Sequence, residues 1–237
     1  MSPDTAGIIV TCEHAGNTAP KRYQHLFKDH DDRLNSHRGY DMGALSLARK
    51  ISRTLNAPLF YTKYTRLLIE ANRSPYSRNL FSPITRELPG SDREHIIQRF
   101  YRPYRSRVEQ ALQRMTTKRP MVHLSIHTFT PILDGKVRQA DIGILYDPGR
   151  SMEKEISRQL FTAFQRTNPL ELTVRRNYPY KGVADSFTTS LRKRYADNQY
   201  AGLEIEVNQK YYTAGPKTWN RVGRYVAGVM RTVCIDR

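Results

Sequence analysis

The feature that most constrains this chain is a regular alternation of short apolar runs with amphipathic segments, continuing from one end to the other. Residues 8–12 (IIVTC) suit a buried strand, and Gly16 and Pro20 mark the loop after it. From 43 to 55, Ala44, Leu47, Ala48, Ile51 and Leu55 recur at helical spacing, with Asn56 and Pro58 ending the helix. Residues 59–65 read as the next strand. A helix is predicted over 93–115, with Ile97, Phe100, Tyr104, Val108, Leu112 and Met115 on one face and Pro103 kinking or dividing it. Strands follow at 121–127 (MVHLSIH) and 140–146, a helix at 153–167 and a short β-like segment at 170–175. In residues 200–207, Leu203, Ile205 and Val207 alternate with Glu204 and Glu206, the period of a strand. A last helix starts near Pro216 and carries Trp219, Val222, Val226, Val229 and Val233. This order predicts a single α/β domain over 1–237, a mostly parallel sheet with helices on both faces. Residues 70–92, with Pro75, Pro83 and Pro89, form a long irregular stretch, and such loops in compact domains are commonly functional.

Charge narrows the partners. The 237 residues carry 39 Lys+Arg against 22 Asp+Glu, a net charge of +17. That excess suits an anionic small substrate, nucleic acid or an anionic surface. The basic residues are scattered and never form a run of five or six like charges, so a nucleic-acid-binding module is the alternative rather than the expectation. No apolar run reaches the roughly 18 residues of a membrane span, so no membrane partner is expected. The first residues lack the pattern of a signal peptide, and Cys12 and Cys234 have no disulfide spacing. A reduced, cytoplasmic protein is the expectation.

Sites in such folds lie at the carboxyl ends of the strands. Glu13 and His14 follow the first strand, His127 closes MVHLSIH, and Glu206 lies near the end of the last strand. Arg66 and the Asn72-Arg73-Ser74 segment follow the second strand. Two histidines and a carboxylate can hold Zn²⁺ with a position open for water, and a free carboxylate can serve as general base. The same residues also read as ordinary strand-end groups, and Glu204 and Glu206 as the solvent face of an edge strand. His123 shares the strand face of His127 and suits a packed role. His25, His30, His37 and His95 are weaker candidates. Other schemes lack their motifs: there is no G-x-S-x-G around Ser125, no phosphate loop and no G-x-G-x-x-G. Cys12 ends a buried strand, which disfavours it as a nucleophile.

Six segments together resemble the N-formylglutamate amidohydrolase family: residues 11–20 (TCEHAGNTAP), 37–48 (HRGYDMGALSLA), 65–75 (TRLLIEANRSP), 123–131 (HLSIHTFTP), 177–182 (NYPYKG) and 203–212 (LEIEVNQKYY). The resemblance implies a mixed, mostly parallel sheet similar to that of zinc carboxypeptidases, one Zn²⁺ per chain, and hydrolysis of an N-acyl amino acid with a free carboxylate. It implies His14 and His127 as ligands and Glu206 as the catalytic glutamate. Where the carboxypeptidase pattern has a glutamate three residues after its first histidine, this chain has Asn17. The carboxylate ligand is then Asp41 or Glu13. Arg73 joins Glu206 among the catalytic residues, and Arg66, Asn72, Asn177 and Lys181 are expected to hold substrate. The Arg fork matches a carboxylate. A related metallo-carboxypeptidase or deacylase is the nearest alternative.

Overall fold

A computed structural model describes residues 6–235. Its strands are β1 (Gly7–Cys12), β2 (Leu59–Tyr61), β3 (Met121–Phe129), β4 (Ile132–Leu133), β5 (Lys136–Val137), β6 (Ile142–Leu145), β7 (Val174–Arg176) and β8 (Tyr200–Asn208). Its helices are α1 (Asp31–Leu34), α2 (Ala44–Leu55), α3 (Gly90–Ile96), α4 (Arg102–Thr116), α5 (Ser151–Arg166), α6 (Phe187–Arg192), α7 (Lys210–Thr213) and α8 (Pro216–Cys234). Six strands form one sheet in the order β2-β1-β3-β8-β6-β7, and β4 pairs with β5 in a separate hairpin. All neighbours in the sheet run parallel except β6 and β8. The expected mixed, mostly parallel sheet is therefore present. No helix among the described residues is long and apolar enough to cross a membrane.

The two faces of the sheet differ in chemistry. Val10, Leu124, Ile126, Leu203, Ile205 and Val207 turn toward α2, α5 and α8, whose apolar stripes meet them in the main core. That side is dry, as period-two patterning in a buried strand requires. The opposite face begins apolar, with Ile9, Met121 and Tyr200 against Tyr104 and Val108 of α4 and Phe187 of α6. Toward the carboxyl ends it turns polar. Thr11, Ser125 and Glu204 lie side by side in the register, and His127 lies beside Glu206. Glu204 and Glu206 belong to a central strand and are buried, so the edge-strand reading is excluded.

Local differences from the sequence expectations have physical causes. The predicted helix over 93–115 is α3, a wide-turned segment Ile97–Tyr101 and α4. Pro103 lies in the first turn of α4, and having no N–H it cannot continue the regular ladder. The predicted strand at 59–65 stops at Tyr61, and the chain from there to α3 is irregular. Leu67, Leu68, Ile69 and Leu80 of that stretch bury against Tyr23, Phe27 and Ile96 in a separate small core, which holds a long loop in place without regular structure. The β-like segment predicted at 170–175 pairs only at Val174–Arg176.

Polar groups beneath the site are fully used. His123 is bonded to Thr11 Oγ1 at 2.7 Å and to Tyr200 Oη at 2.7 Å. Burial pushes its pKa down to about 4, against the opposing charges of Glu13 and Glu204. Farther along β8, Glu153 Oε1 accepts from Arg192 Nε (2.8 Å) and Gly202 N (3.0 Å), and its Oε2 accepts from Asp147 N (2.8 Å). Arg192 also donates to the carbonyls of Gly182 and Gly202. This buried pair ties α5, α6, β8 and the 182 loop together.

Removing one partner of a buried pair strands the other charge, so Glu153→Ala is expected to lower stability by about 3–5 kcal/mol. A urea midpoint shift at unchanged slope reads this, and a loss below about 1 kcal/mol would contradict it. His123 makes stability depend on pH. Its folded pKa of about 4 lies below the ordinary 6.5, so its contribution is whole above pH 6.5 and is lost as pH falls toward 4. The expected loss is roughly 3 kcal/mol. His123→Gln, which can donate and accept without titrating there, should flatten the urea midpoint between pH 6.5 and 4.

Candidate active site

The carboxyl ends of β1, β3 and β8 open into a cleft of about 180 Å³, room for one small molecule. His14 enters from the turn after β1 and Asp41 from the turn before α2. The backbone N–H of Asp41 donates to the His14 carbonyl at 3.0 Å, which locks those two turns together. His127 enters from β3. The three present one atom each to a common point: Nδ1 of His14 and Nδ1 of His127 are 3.2 Å apart, and Asp41 Oδ2 is 3.2 Å from the first and 2.9 Å from the second. Four-coordinate zinc with bonds of about 2.0–2.2 Å spaces its ligand atoms at roughly 3.3 Å, so this donor set fits a zinc ion without rearrangement. His14, Asp41 and His127 form the cluster of metal-ligating type among the described residues.

The far side of each imidazole meets a carboxylate. His14 Nε2 contacts Glu70 Oε1. His127 Nε2 is 3.3 Å from Glu13 Oε2 and 2.9 Å from Ser125 Oγ, which in turn donates to Glu13 Oε2 at 2.6 Å. Tyr104 Oη donates to Glu13 Oε1 at 2.6 Å. A carboxylate behind a ligand histidine fixes its tautomer and aims the other nitrogen at the metal. Glu13, the alternative carboxylate, stands behind His127, whereas Asp41 offers its Oδ2 to the common point between the two imidazoles. Glu70 does for His14 what Glu13 does for His127. It lies in the TRLLIEANRSP segment but drew no attention in the sequence, because a single glutamate in a loop carries no spacing signal.

These contacts set the charges. Burial raises the Asp41 carboxyl, but Arg66 and His14 hold it well below the usual range. Burial likewise raises Glu70, and His14 with Arg66 brings it down to about 2. His127 is pushed down by burial and lifted well above 6.5 by its bonds to Asp41 and Glu13. Glu206 behaves oppositely: burial pushes it up to about 7, His127 opposing and Asp41 and Glu204 adding. Its Oε2 is buried with no hydrogen-bond partner among the described residues. Beside it, Gly143 is packed against the Tyr178 carbonyl, which a Cβ there would meet at 2.0 Å, so no side chain fits.

The expected substrate residues divide. Arg73, Lys181 and Asn72 line the cleft. Arg73 Nη1 donates to the Asp185 carbonyl. Asn72 accepts from Phe187 N at 2.9 Å through Oδ1, so its side chain also fastens α6. Arg66 lines the cleft too; its Nη2 pairs with Asp41, Nη1 stands 4.0 Å from Glu70 and Nε has no hydrogen-bond partner among the described residues. Asn177 is the correction. It is not part of the cleft wall; its Oδ1 accepts from Tyr146 N (3.0 Å) and Gly182 N (3.1 Å) and shapes the loop that carries Lys181. Tyr180, Asp185 and Ser186 complete the wall, and the sequence reading had not singled them out.

A comparison with curated proteins gives no match. Among solved structures, the chain is similar to gene product Atu2144 from Agrobacterium tumefaciens, with 28% identity and a TM-score of 0.81, over 97% of this chain and 91% of that one. It is also similar to the N-formylglutamate amidohydrolase from Ralstonia eutropha JMP134, with a TM-score of 0.67 over 98% of this chain and 94% of that one; at 18% identity that likeness speaks for the fold. The model of the N-formylglutamate amidohydrolase family matches residues 6–213, which takes in every cleft residue described above. This chain therefore belongs to the N-formylglutamate amidohydrolase family.

Proposed function

We propose that the protein is a zinc-dependent amidohydrolase that cleaves the amide of an N-acyl amino acid bearing a free carboxylate, N-formylglutamate being the substrate named by its family. The observation that carries this reading is the convergence of three atoms of metal-ligating type beside a buried carboxyl oxygen that has no hydrogen-bond partner among the described residues. His14, Asp41 and His127 would hold the ion. Bound there, zinc supplies Lewis-acid polarisation of the amide carbonyl and acidifies a water.

The remaining steps fall to the chain's own groups. Glu206 Oε2 takes a proton from the attacking water and returns it to the amide nitrogen as that bond breaks. A pKa near neutrality suits a group that must both accept and donate. Arg73 and Lys181 line the cleft as cations for the substrate carboxylate. Arg66 holds Asp41 in its ligand orientation. Glu13 and Glu70 keep the imidazole Nδ1 atoms turned inward. A chelator-sensitive release of free amino acid from N-formyl or N-acetyl amino acids tests the reading as a whole.

Three variants separate holding the metal from moving the proton. Glu206→Gln should keep one zinc per chain and lose at least about a hundredfold in kcat. Near-normal turnover with zinc bound would remove Glu206 from this role. Asp41→Asn should lose the metal on dialysis. Glu13→Gln should keep the site but weaken zinc affinity by about 10–100-fold. Metal content and competitive chelator titration read both, and full zinc occupancy in Asp41→Asn would overturn the ligand set.

A further inference from the structure

In the segment 177–182 (NYPYKG), Asn177 shapes the loop and Lys181 lines the cleft, while neither tyrosine has a part in the chemistry so far. Both tyrosines dock on the residues just after β5. Gln139 N donates to Tyr178 Oη at 2.8 Å, and Arg138 Nη2 donates to Tyr180 Oη at 2.9 Å. The loop they hold passes beside Glu206. Gly143 is level with Glu206 in the register, and a Cβ on it would meet the Tyr178 carbonyl at 2.0 Å and Glu206 Cβ at 3.2 Å. Tyr180, farther along the same loop, lines the cleft together with His14, Asp41 and Glu206. It is 45% exposed, so filling a core is not its use.

The bond from Arg138 governs the tyrosine proton. A guanidinium has donors and no acceptor, so Tyr180 Oη accepts in that bond and keeps its own proton for another partner. No acceptor for that proton is found among the described residues. Arg138 itself stacks on the rings of Phe129 and Tyr180, its guanidinium carbon 5.6 Å and 4.9 Å from their centroids. Its Nη1 is buried with no hydrogen-bond partner among the described residues. Such an orphaned donor is costly, and the contact the guanidinium keeps in return is the bond to Tyr180. Burial raises the Tyr180 hydroxyl above its ordinary value, Glu206 adding and Arg138 opposing. At neutral pH the proton therefore stays on the oxygen as a hydrogen-bond donor.

We propose that Tyr180 is a catalytic residue whose hydroxyl donates a hydrogen bond to the acyl oxygen of the scissile amide, and that Arg138 is a positioning residue that turns this donor into the cleft. The proposal rests on the amidohydrolase reading and adds a group to it. When water adds to the amide carbon, the carbonyl electron pair moves onto the acyl oxygen and the bond from Tyr180 strengthens against the growing charge. When the pair returns, the C–N bond breaks and the nitrogen takes the proton held by Glu206. Tyr180 keeps its own proton throughout. Because the bond is stronger to the charged oxygen than to the ground-state carbonyl, it acts on kcat rather than on KM.

Steady-state kinetics of the zinc-loaded full chain on N-formylglutamate and N-acetylglutamate tests this. Tyr180→Phe removes the hydroxyl and keeps the ring. Its kcat should fall about a hundredfold or more, with KM within about threefold. Arg138→Met should lower kcat about tenfold in the unaltered protein but less than about twofold in the Tyr180→Phe background, where no hydroxyl is left to position. Where Arg138→Met does not fold, Tyr180→Phe decides alone. Calorimetry gives a readout free of turnover. Its probe is a phosphinate in which phosphorus replaces the carbonyl carbon of N-acetylglutamate and a methylene replaces the nitrogen. Tyr180→Phe should weaken this charged mimic about tenfold or more and leave glutamate, which has no acyl oxygen, within about twofold. An unchanged kcat in Tyr180→Phe, a raised KM at intact kcat, or equal weakening of phosphinate and glutamate overturns the role of Tyr180. Equal losses from Arg138→Met in both backgrounds overturn that of Arg138. A protein that hydrolyses neither substrate overturns the amidohydrolase reading, and the phosphinate comparison then still decides whether Tyr180 donates to an oxygen in the cleft.

Discussion

The structure depends on one constraint: a sheet face that becomes ionisable toward the carboxyl ends of its strands must still be buried. Thr11, Glu13, His123, Ser125, His127, Glu204 and Glu206 all belong to that face and are all buried. Such groups are tolerated only where each finds a partner. The column solves this by pairing across strands and with the covering helices, His123 with Thr11 and Tyr200, Glu13 with Ser125 and with Tyr104 of α4, and Glu204 with Thr188 of α6. Parallel register is what brings these pairs level. The deeper layers are complete within the protein. Completeness ends at the top, where His14, Asp41 and His127 crowd three electronegative atoms together and Glu206 keeps an oxygen unpartnered.

Arginine has a structural use that its abundance does not reveal. Arg105, buried on α4, donates to the carbonyls of Ala71 and Arg73 and stacks over the Phe187 ring with its guanidinium carbon 3.9 Å from the centroid. The irregular 66–74 segment has no ladder to satisfy its carbonyls, and a planar group with several donors does so from the side. Arg192 plays the same part for Gly182 and Gly202. Arg66 does it for a carboxylate. The chain's net charge of +17 thus coexists with a cleft lined by several carboxylates, because several of the cations near the site are spent on holding loops and a carboxylate.

Much of the fold was legible because periodicity survives in a sequence. The spacing of Ala44, Leu47, Ala48, Ile51 and Leu55 located α2, and the alternation in LEIEV located β8. The elements that escaped were short or irregular. The turn Lys21–Phe27, α6 and the β4–β5 hairpin are too brief to show a period, and Leu67 to Leu80 is held by packing against another loop rather than by local preference. That His14, His127 and Glu206 lie together in the cleft was legible because strand ends are predictable. Asn177 lies outside the cleft wall, and nothing in a residue type tells whether its polar atoms are free. Asn177 closes a loop with its side-chain oxygen instead.

By itself, then, the sequence determined the α/β alternation, the apolar face of each strand and helix, and the family, because these follow from local spacing and from segments that keep their order. Only the tertiary structure decided which acidic group serves which histidine. Glu13 is adjacent to His14 in the chain, yet it supports His127, while Glu70 supports His14. The reason is geometric. Neighbouring residues of an extended strand point to opposite sides, so Glu13 turns to the face it shares with Ser125 and His127. His14, Asp41 and His127 come within 3.2 Å of one another only because parallel strands bring distant strand ends to one edge. That convergence is a property of the register, which no local pattern records.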